Sequence, residues 1–461
     1  MKRLGKMKIK PASAIADSRV SVGFECLDRE LFDPGRCYDL LGRSGIKHAR
    51  CQTGWNRCEK EKGVYDFRWL DDVVDQLLIR GVKPWFNVGF GNPLYMKNAS
   101  SPTAVGCVPL LYGEEALEAW KNYVAALAAH FRGRVTEYEI WNEPDLKDFW
   151  YPAAPDPVQY AALVDLTGEI ICRADPAAKI GACASRALPN REDTAGFTWR
   201  FLSRVRRLDF FCYHNYEIMP EAYLDRGVAH LRAQLDASGH AACELWNGEC
   251  GYPSWFPKGS SMQPRGTQGS QRQQAVGHMR YIFLDAALGV KRTSIYSIVD
   301  HTMKLYQTAS YQAPNPPRWG ILEGGSYAPK KTYEALSRIA TLLAGETGPS
   351  GYYFTAFTGK NTGDTTFIRE AALLKAGRPL YAYWRPSHIE EEAPVLPGAV
   401  TPLIDGLYDR ALREPVLADP LDGCVYALDC VSDRGAVRVL SPAPLADYPL
   451  VICERSALEL E

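Results

Sequence analysis

The chain has 461 residues, 46% of them hydrophobic and 23% charged, an ordinary globular composition long enough for one barrel-sized domain and a smaller one. Lys and Arg number 53 against 54 Asp and Glu, a net charge of −1, so no general field attracts nucleic acid or an anionic membrane, and neither is expected as a partner. Thirteen cysteines without CxxC pairs read as buried free thiols in a reducing compartment. The opening "MKRLGKMKIKPASAIADSR" carries positive charge without an apolar run behind it, and no stretch of 18 apolar residues follows. The expectation is therefore a soluble, cytoplasmic protein.

In chain order, short strand-like runs alternate with amphipathic helical segments, the pattern of a parallel sheet covered by helices. Eight such runs stand out: "VSVGFE" (20–25), "KHARCQ" (47–52), "KPWFNVGF" (83–90), "VTEYEIW" (135–141), "AKIGACA" (178–184), "LDFFCYH" (208–214), "CELWNGE" (243–249) and "RTSIYSI" (292–298). The clearest helix is "WLDDVVDQLLIRG", with Leu70, Val73, Val74, Leu77 and Leu78 at helical spacing and Gly81 where a C-terminal cap belongs. Others are expected at 114–131, 157–174, 223–238, 271–289 and 330–343. Eight strand-helix units predict a (β/α)8 barrel with long loops. A doubly wound open sheet would need a Gly-rich phosphate-binding turn, which the sequence lacks.

The segment "GYPSWFPKGSSMQPRGTQGSQRQQ" (251–274) follows the seventh run and is rich in Gly, Ser and Pro, as expected of a mobile loop over a site. Past residue 348 the runs "GYYFTAFTG", "TTFIREAALLKAGRPLYAYWRP", "CVYALD" and "PLVICE" alternate with turns. They predict a small all-β, sandwich-like domain. The expected organisation is an N-terminal segment (1–17) packing with that domain, a barrel over 18–347 and the β domain over 348–461.

In such barrels chemistry sits at the C-terminal strand ends. Glu143 in "EIWNEPD" ends the fourth run, where Pro144 forbids helix and is expected to hold Glu143 extended. Glu249 in "CELWNGECGYPS" ends the seventh, across the barrel mouth. Opposed carboxyls are the machinery of glycoside hydrolysis, one giving a proton to the leaving oxygen, the other attacking the anomeric carbon or activating water. The plain alternative is a helix cap and a salt bridge. Glu244, five residues upstream, is a rival for Glu249 but lies at the wrong end of the strand.

The stretches "WNEPD" and "GECGY" resemble the clan A glycoside hydrolases. "GWNRCEKEKGVYDFRWLDDVVDQLLIRGVKPWFNVGFGNPLY" is most similar to the family 39, β-xylosidase-like branch. The resemblance implies a retaining double displacement with Glu143 as general acid/base and Glu249 as nucleophile. It further implies that Asn142 hydrogen-bonds the sugar 2-OH, that His214 lies near the sugar, and that Tyr216 and Arg50 hold the nucleophile ionised. Glu25 at the end of the first run is expected to grip sugar hydroxyls or to pair with Arg50. Of the strand-end aromatics, Trp55 and Trp319 are the expected stacking residues. The eighth run departs from the clan pattern in having no tryptophan near the scissile sugar.

An exo-acting β-glycosidase for short oligosaccharides or glycosides is the leading expectation, with no cofactor. An endo-glycanase or transglycosidase on the same residues, and a non-catalytic carbohydrate-binding barrel, remain open. A metal-dependent enzyme is disfavoured because no HExxH helix and no strand-end His cluster beyond His214 are found.

Overall fold

The computed structural model describes the chain apart from residues 189–195, 260–267, 302–315, 352, 359–367, 394, 406–411, 434–435 and 441. The middle of the Gly/Ser/Pro-rich loop after the seventh run therefore lies outside the described residues. Among the described residues eleven strands precede the C-terminal region: β1 (Arg3–Lys6), β2 (Val20–Phe24), β3 (His48–Gln52), β4 (Glu59–Glu61), β5 (Val64–Tyr65), β6 (Lys83–Val88), β7 (Glu137–Ile140), β8 (Lys179–Ala184), β9 (Phe210–Asn215), β10 (Glu244–Cys250) and β11 (Arg292–Ile295). All eight expected runs contribute a strand to one closed barrel, in the order β10-β11-β2-β3-β6-β7-β8-β9. Every pairing around it is parallel.

Helices α1 (Tyr38–Arg43), α2 (Trp55–Cys58), α3 (Arg68–Ile79), α4 (Glu114–Phe131), α5 (Pro157–Ala174), α6 (Phe197–Leu202), α7 (Leu224–Ala237), α8 (Gln271–Ala287) and α9 (Lys331–Leu342) complete the series. In α3 the buried residues are Leu70, Val73, Val74 and Leu77, one stripe turned to the barrel. Gly81 just beyond has φ 78, the left-handed conformation that a glycine adopts without a Cβ clash.

The barrel interior is layered. At its base Arg292 pairs with Glu137 at 2.7 Å and lies 3.8 Å over the Trp246 ring. The middle layer is apolar and fully buried: Trp85, Cys183, Phe210, Cys212 and Trp246. This floor cuts the top of the barrel off from the base, so charged groups above it are solvated from one side only.

From Thr347 onward the described residues form two antiparallel sheets. The larger runs Arg3–Lys6, Cys424–Ala427, Pro415–Ala418, Leu450–Glu454, Arg378–Trp384, Arg369–Lys375, Thr347–Pro349. The N-terminal strand β1 is thus its edge, with Arg3 opposite Tyr426. Helix α8 is buried on nearly every face because it lies between barrel and sheets. Its Arg280 donates to the carbonyls of Asp447 (2.8 Å) and Ser387 (2.9 Å), and Gln273 to that of Ile389 (2.7 Å). All thirteen cysteines are free and only Cys172 and Cys430 are less than fully buried. Among the described residues no helix is long and apolar enough to cross a membrane.

Candidate active site

Strand β7 stops at Ile140, and the chain then turns sharply, with φ 68 at Trp141 and φ 45 at Glu143. The expectation that Pro144 holds Glu143 extended is therefore wrong. Tertiary contacts override the local preference. The Trp141 indole N–H donates to the Phe149 carbonyl at 2.7 Å, and the Asn87 amide donates to the Trp141 carbonyl at 2.7 Å. The turn aims the Glu143 carboxyl inward, where Oε1 lies 2.8 Å from His214 Nδ1 at the end of β9.

Glu249 reaches the same place by a different device. Trp246 belongs to the barrel interior, and Asn247 points outward to Asp285 on α8, its amide donating at 2.9 Å. Regular alternation would therefore send Glu249 outward as well. Instead the ladder slips: Asn247 faces Tyr213 of β9, but Glu249 faces the next residue, His214. Gly248 is the extra residue of a bulge, which re-aims Glu249 into the barrel. A Cβ at Gly248 would stand 3.2 Å from His214 Nε2 and 3.0 Å from Cys212 Cβ. Just past β9, Tyr216 donates its hydroxyl proton to Glu249 Oε2 at 2.7 Å.

Arg50 of β3 holds these groups together. Its Nε donates to Glu139 Oε2 at 2.7 Å, its Nη2 to Asn142 Oδ1 at 2.9 Å, and its Nη1 to Glu25 Oε1 at 3.3 Å and to Glu249 Oε1. The guanidinium is fully buried, so its five donors must be met by acceptors in the barrel. Glu139 was not among the expected residues. Its signal was present, since a carboxyl one residue before the strand end and on the face of Glu137 has no use in an apolar barrel unless a cation meets it.

The environments of the two opposed carboxyls differ. Burial pushes Glu143 up, and the charge of Glu249 adds to this, outweighing the hydrogen bond to His214. Burial would raise Glu249 too, but the charges of His214 and Arg50, with the donated bonds of Tyr216 and Arg50, hold it below the ordinary carboxylate range. Glu25 is buried and faces Glu249, which together push it up to about 8 despite Arg50. Burial would depress the His214 imidazole, but Glu249 and Glu143 leave it above its ordinary value.

Glu25, Arg50, Asn142, Glu143, His214, Tyr216 and Glu249 thus form one cluster. Trp319 joins it from the segment after β11: its ring is 5.1 Å from that of Tyr216 and 6.1 Å from that of Tyr296. Trp55 does not. It is fully buried against Tyr95, Trp120 and Tyr123, with ring separations of 5.5, 5.5 and 5.7 Å, and its indole N–H is taken by Glu59. It opens the short helix α2 and fills the core, a common fate of a large aromatic. Glu244 lies at the base of the barrel, 3.7 Å from Lys179.

Among the described residues two groups have ligand atoms within 4.8 Å of one another, as a metal ion would need: Glu143, His214 and Glu249, and Glu139, Cys183 and His214. Arg50 already supplies positive charge to a carboxylate in each.

Residues 43–228 match the family described as glycosyl hydrolases family 39. Over 139 residues the chain is 26% identical to a β-xylosidase of Geobacillus stearothermophilus, covering 27% of this chain and 25% of the relative. Over 161 residues it is 25% identical to a β-xylosidase of Caldicellulosiruptor saccharolyticus, covering 32% of each. The chain thus spans about a quarter to a third of the length of these relatives. In fold it is similar to a family 39 glycoside hydrolase from Bacteroides cellulosilyticus WH2, with TM-score 0.62 and 17% identity over 95% of this chain and 81% of the other. A family 39 β-xylosidase from Caulobacter crescentus gives TM-score 0.55 and 15% identity over 97% of both chains.

Proposed function

We propose, with the likeness to glycosyl hydrolase family 39 as premise, that this protein is a retaining glycoside hydrolase acting on β-linked oligosaccharides or glycosides by double displacement. The observation that carries the reading is the pairing of Glu143 and Glu249: carboxylate oxygens within 4.8 Å of each other and of His214, with acidities pushed in opposite directions. Retention calls for carboxyl groups about 5 to 5.5 Å apart, whereas inversion leaves about 6.5 to 9.5 Å for a water. Acid/base roles follow when two titratable groups are pushed apart in this way.

In this reading protonated Glu143 gives its proton to the glycosidic oxygen while ionised Glu249 attacks the anomeric carbon. Water then displaces Glu249, losing its proton to Glu143, which is restored. Arg50 and Tyr216 keep Glu249 anionic. Because Asn142 Oδ1 accepts from Arg50, its amide N–H is turned to the sugar 2-OH. Glu25 grips hydroxyls, and Trp319 with Tyr296 forms an aromatic wall. The names of the two β-xylosidase relatives make a β-xyloside the first substrate to try and exo action the first mode.

The test is turnover of nitrophenyl α- and β-glycosides by the wild type and Glu249→Ala. We expect cleavage of a β-glycoside with retained anomeric configuration, loss of that cleavage in Glu249→Ala, and its return with added azide as an inverted glycosyl azide. Wild-type activity in the alanine variant would remove Glu249 from the nucleophile role, and silence of the wild type across aryl glycosides and oligosaccharides would overturn the enzyme reading.

A further inference from the structure

On the side of His214 turned away from the carboxyls lies a thiol that the reaction above leaves unused. Cys183 of β8 is fully buried, with Sγ 3.3 Å from His214 Nε2. Its place is fixed. The Cys183 backbone N–H donates to the Tyr160 hydroxyl at 2.8 Å, and that hydroxyl donates to the Ile140 carbonyl at 2.7 Å. One tyrosine of α5 therefore ties the strand bearing the thiol to the end of β7, three residues before Glu143. Gly248 leaves room for the ring, since a Cβ there would crowd Nε2.

The groups facing the imidazole sort by nitrogen. Nδ1 meets Glu143 at 2.8 Å and Glu249 at 3.6 Å. Nε2 meets Cys183, with Glu139 and Cys212 beyond and Arg50 to the side. Burial, then the charge of Glu139, holds the thiol well above its ordinary range, so it keeps its proton. An S–H is a weak donor, and a neutral imidazole has one acceptor nitrogen for it.

We propose that Cys183 is a positioning residue whose S–H donates to Nε2 of His214 and so fixes the neutral ring in the tautomer with the proton on Nδ1. The consequence for Glu143 rests on its acid/base role. With Nδ1–H donating to Oε1, the acidic proton of Glu143 stays on Oε2, the oxygen free to face the glycosidic bond. After proton transfer the same N–H steadies the carboxylate. In the other tautomer Nδ1 would be a bare acceptor 2.8 Å from Glu143 and would draw the proton away from the leaving group. The imidazolium form donates from both nitrogens and needs no thiol. Control by Cys183 therefore acts only above the pH at which His214 loses its charge.

The contact is tested in two ways. Long-range ¹H–¹⁵N correlation of the imidazoles in ¹⁵N-histidine wild type, with His214 identified by its loss in His214→Gln, should show protonated Nδ1 and bare Nε2 for the neutral ring. A proton on Nε2 overturns the proposal. In pH profiles of kcat/KM, Cys183→Ala should lose about 3- to 10-fold, the worth of one modest hydrogen bond, on glycosides with poor leaving groups. The loss should be smaller on activated aryl glycosides and should widen as pH rises through the His214 titration, and Cys183→Ser should recover most of it. A loss equal at all pH values and for all leaving groups, or a folded Cys183→Ser no better than Cys183→Ala, would reduce Cys183 to a packing residue. The tautomer measurement uses the wild type and holds if the alanine variant fails to fold. Should the wild type hydrolyse no glycoside, the proposed function falls while the same spectrum still decides the thiol contact.

Discussion

Arg50 shows how much one side chain decides here. It is buried with Glu25, Glu139 and Glu249 around it, and a planar fork of five donors can serve several acceptors where a lysine ammonium would not. The charges of His214 and Arg50 together keep Glu249 low, while Glu143, which has His214 but no arginine, stays high. Under the proposed roles of Glu249 and Glu143 the activity profile follows by sign. A nucleophile must be ionised, and its lowered pKa places the acid limb below the ordinary carboxylate range. A general acid must be protonated, and its raised pKa places the alkaline limb above that range. We expect a bell broad on both sides, whose apparent limits belong to the coupled pair. A bell centred on the ordinary carboxylate range would contradict the two shifts. Removing the acid should separate substrates by leaving group: Glu143→Ala should cost about 10²- to 10⁴-fold with a poor leaving group and far less with a nitrophenolate. A uniform loss would show that Glu143 is not the proton donor.

At the scale of elements, the site depends on two irregularities at strand ends. One is the left-handed turn after β7 and the other the bulge at Gly248 in β10. A straight β10 would turn Glu249 away from His214. Gly248 also lets the strand lie close to β9, so Gly248→Ala presses a methyl toward His214 Nε2 and Cys212. Its φ is not among the positive values, so alanine meets no backbone penalty there and the effect should fall on the imidazole. We expect kcat/KM to drop on the order of tenfold or more, since small displacements of catalytic groups are costly, with a cooperative unfolding transition retained. Wild-type kinetics in this variant would show that the close approach has no catalytic meaning.

Across the whole molecule, α8 joins barrel to sheets, and its buried polar residues face both. His278 on this helix accepts the Tyr252 backbone N–H at Nε2 (3.1 Å) and pairs through Nδ1 with Thr332 at 2.7 Å. Burial, then the charge of Lys330, lowers its pKa from 6.5 to about 3. The unfolded chain therefore takes up this proton first, and the contribution of the neutral ring is present above pH 6.5 and is lost as pH falls toward 3. In urea unfolding, the stability of the wild type minus that of His278→Gln should shrink as pH is lowered through this window. A difference independent of pH would mean that the ring titrates alike in both states.

Much of this was legible in the chain itself. The alternation of β-rich runs with helical periodicity, as in the helix "WLDDVVDQLLIRG" before "KPWFNVGF", fixes the number and order of barrel units, because burial periodicity is a local property. Glu143 and Glu249 were readable as opposed strand-end carboxyls, whereas the places of Arg50 and His214 were expected only from the family resemblance. Other features required the fold. Whether Trp55 meets solvent or core, which face the bulge gives Glu249, that Glu139 shares Arg50 and that Cys183 touches His214 are all contacts between strands distant in sequence. Those are settled by barrel closure and register, since a one-residue slip reverses every side chain of a strand, and no local preference encodes the slip.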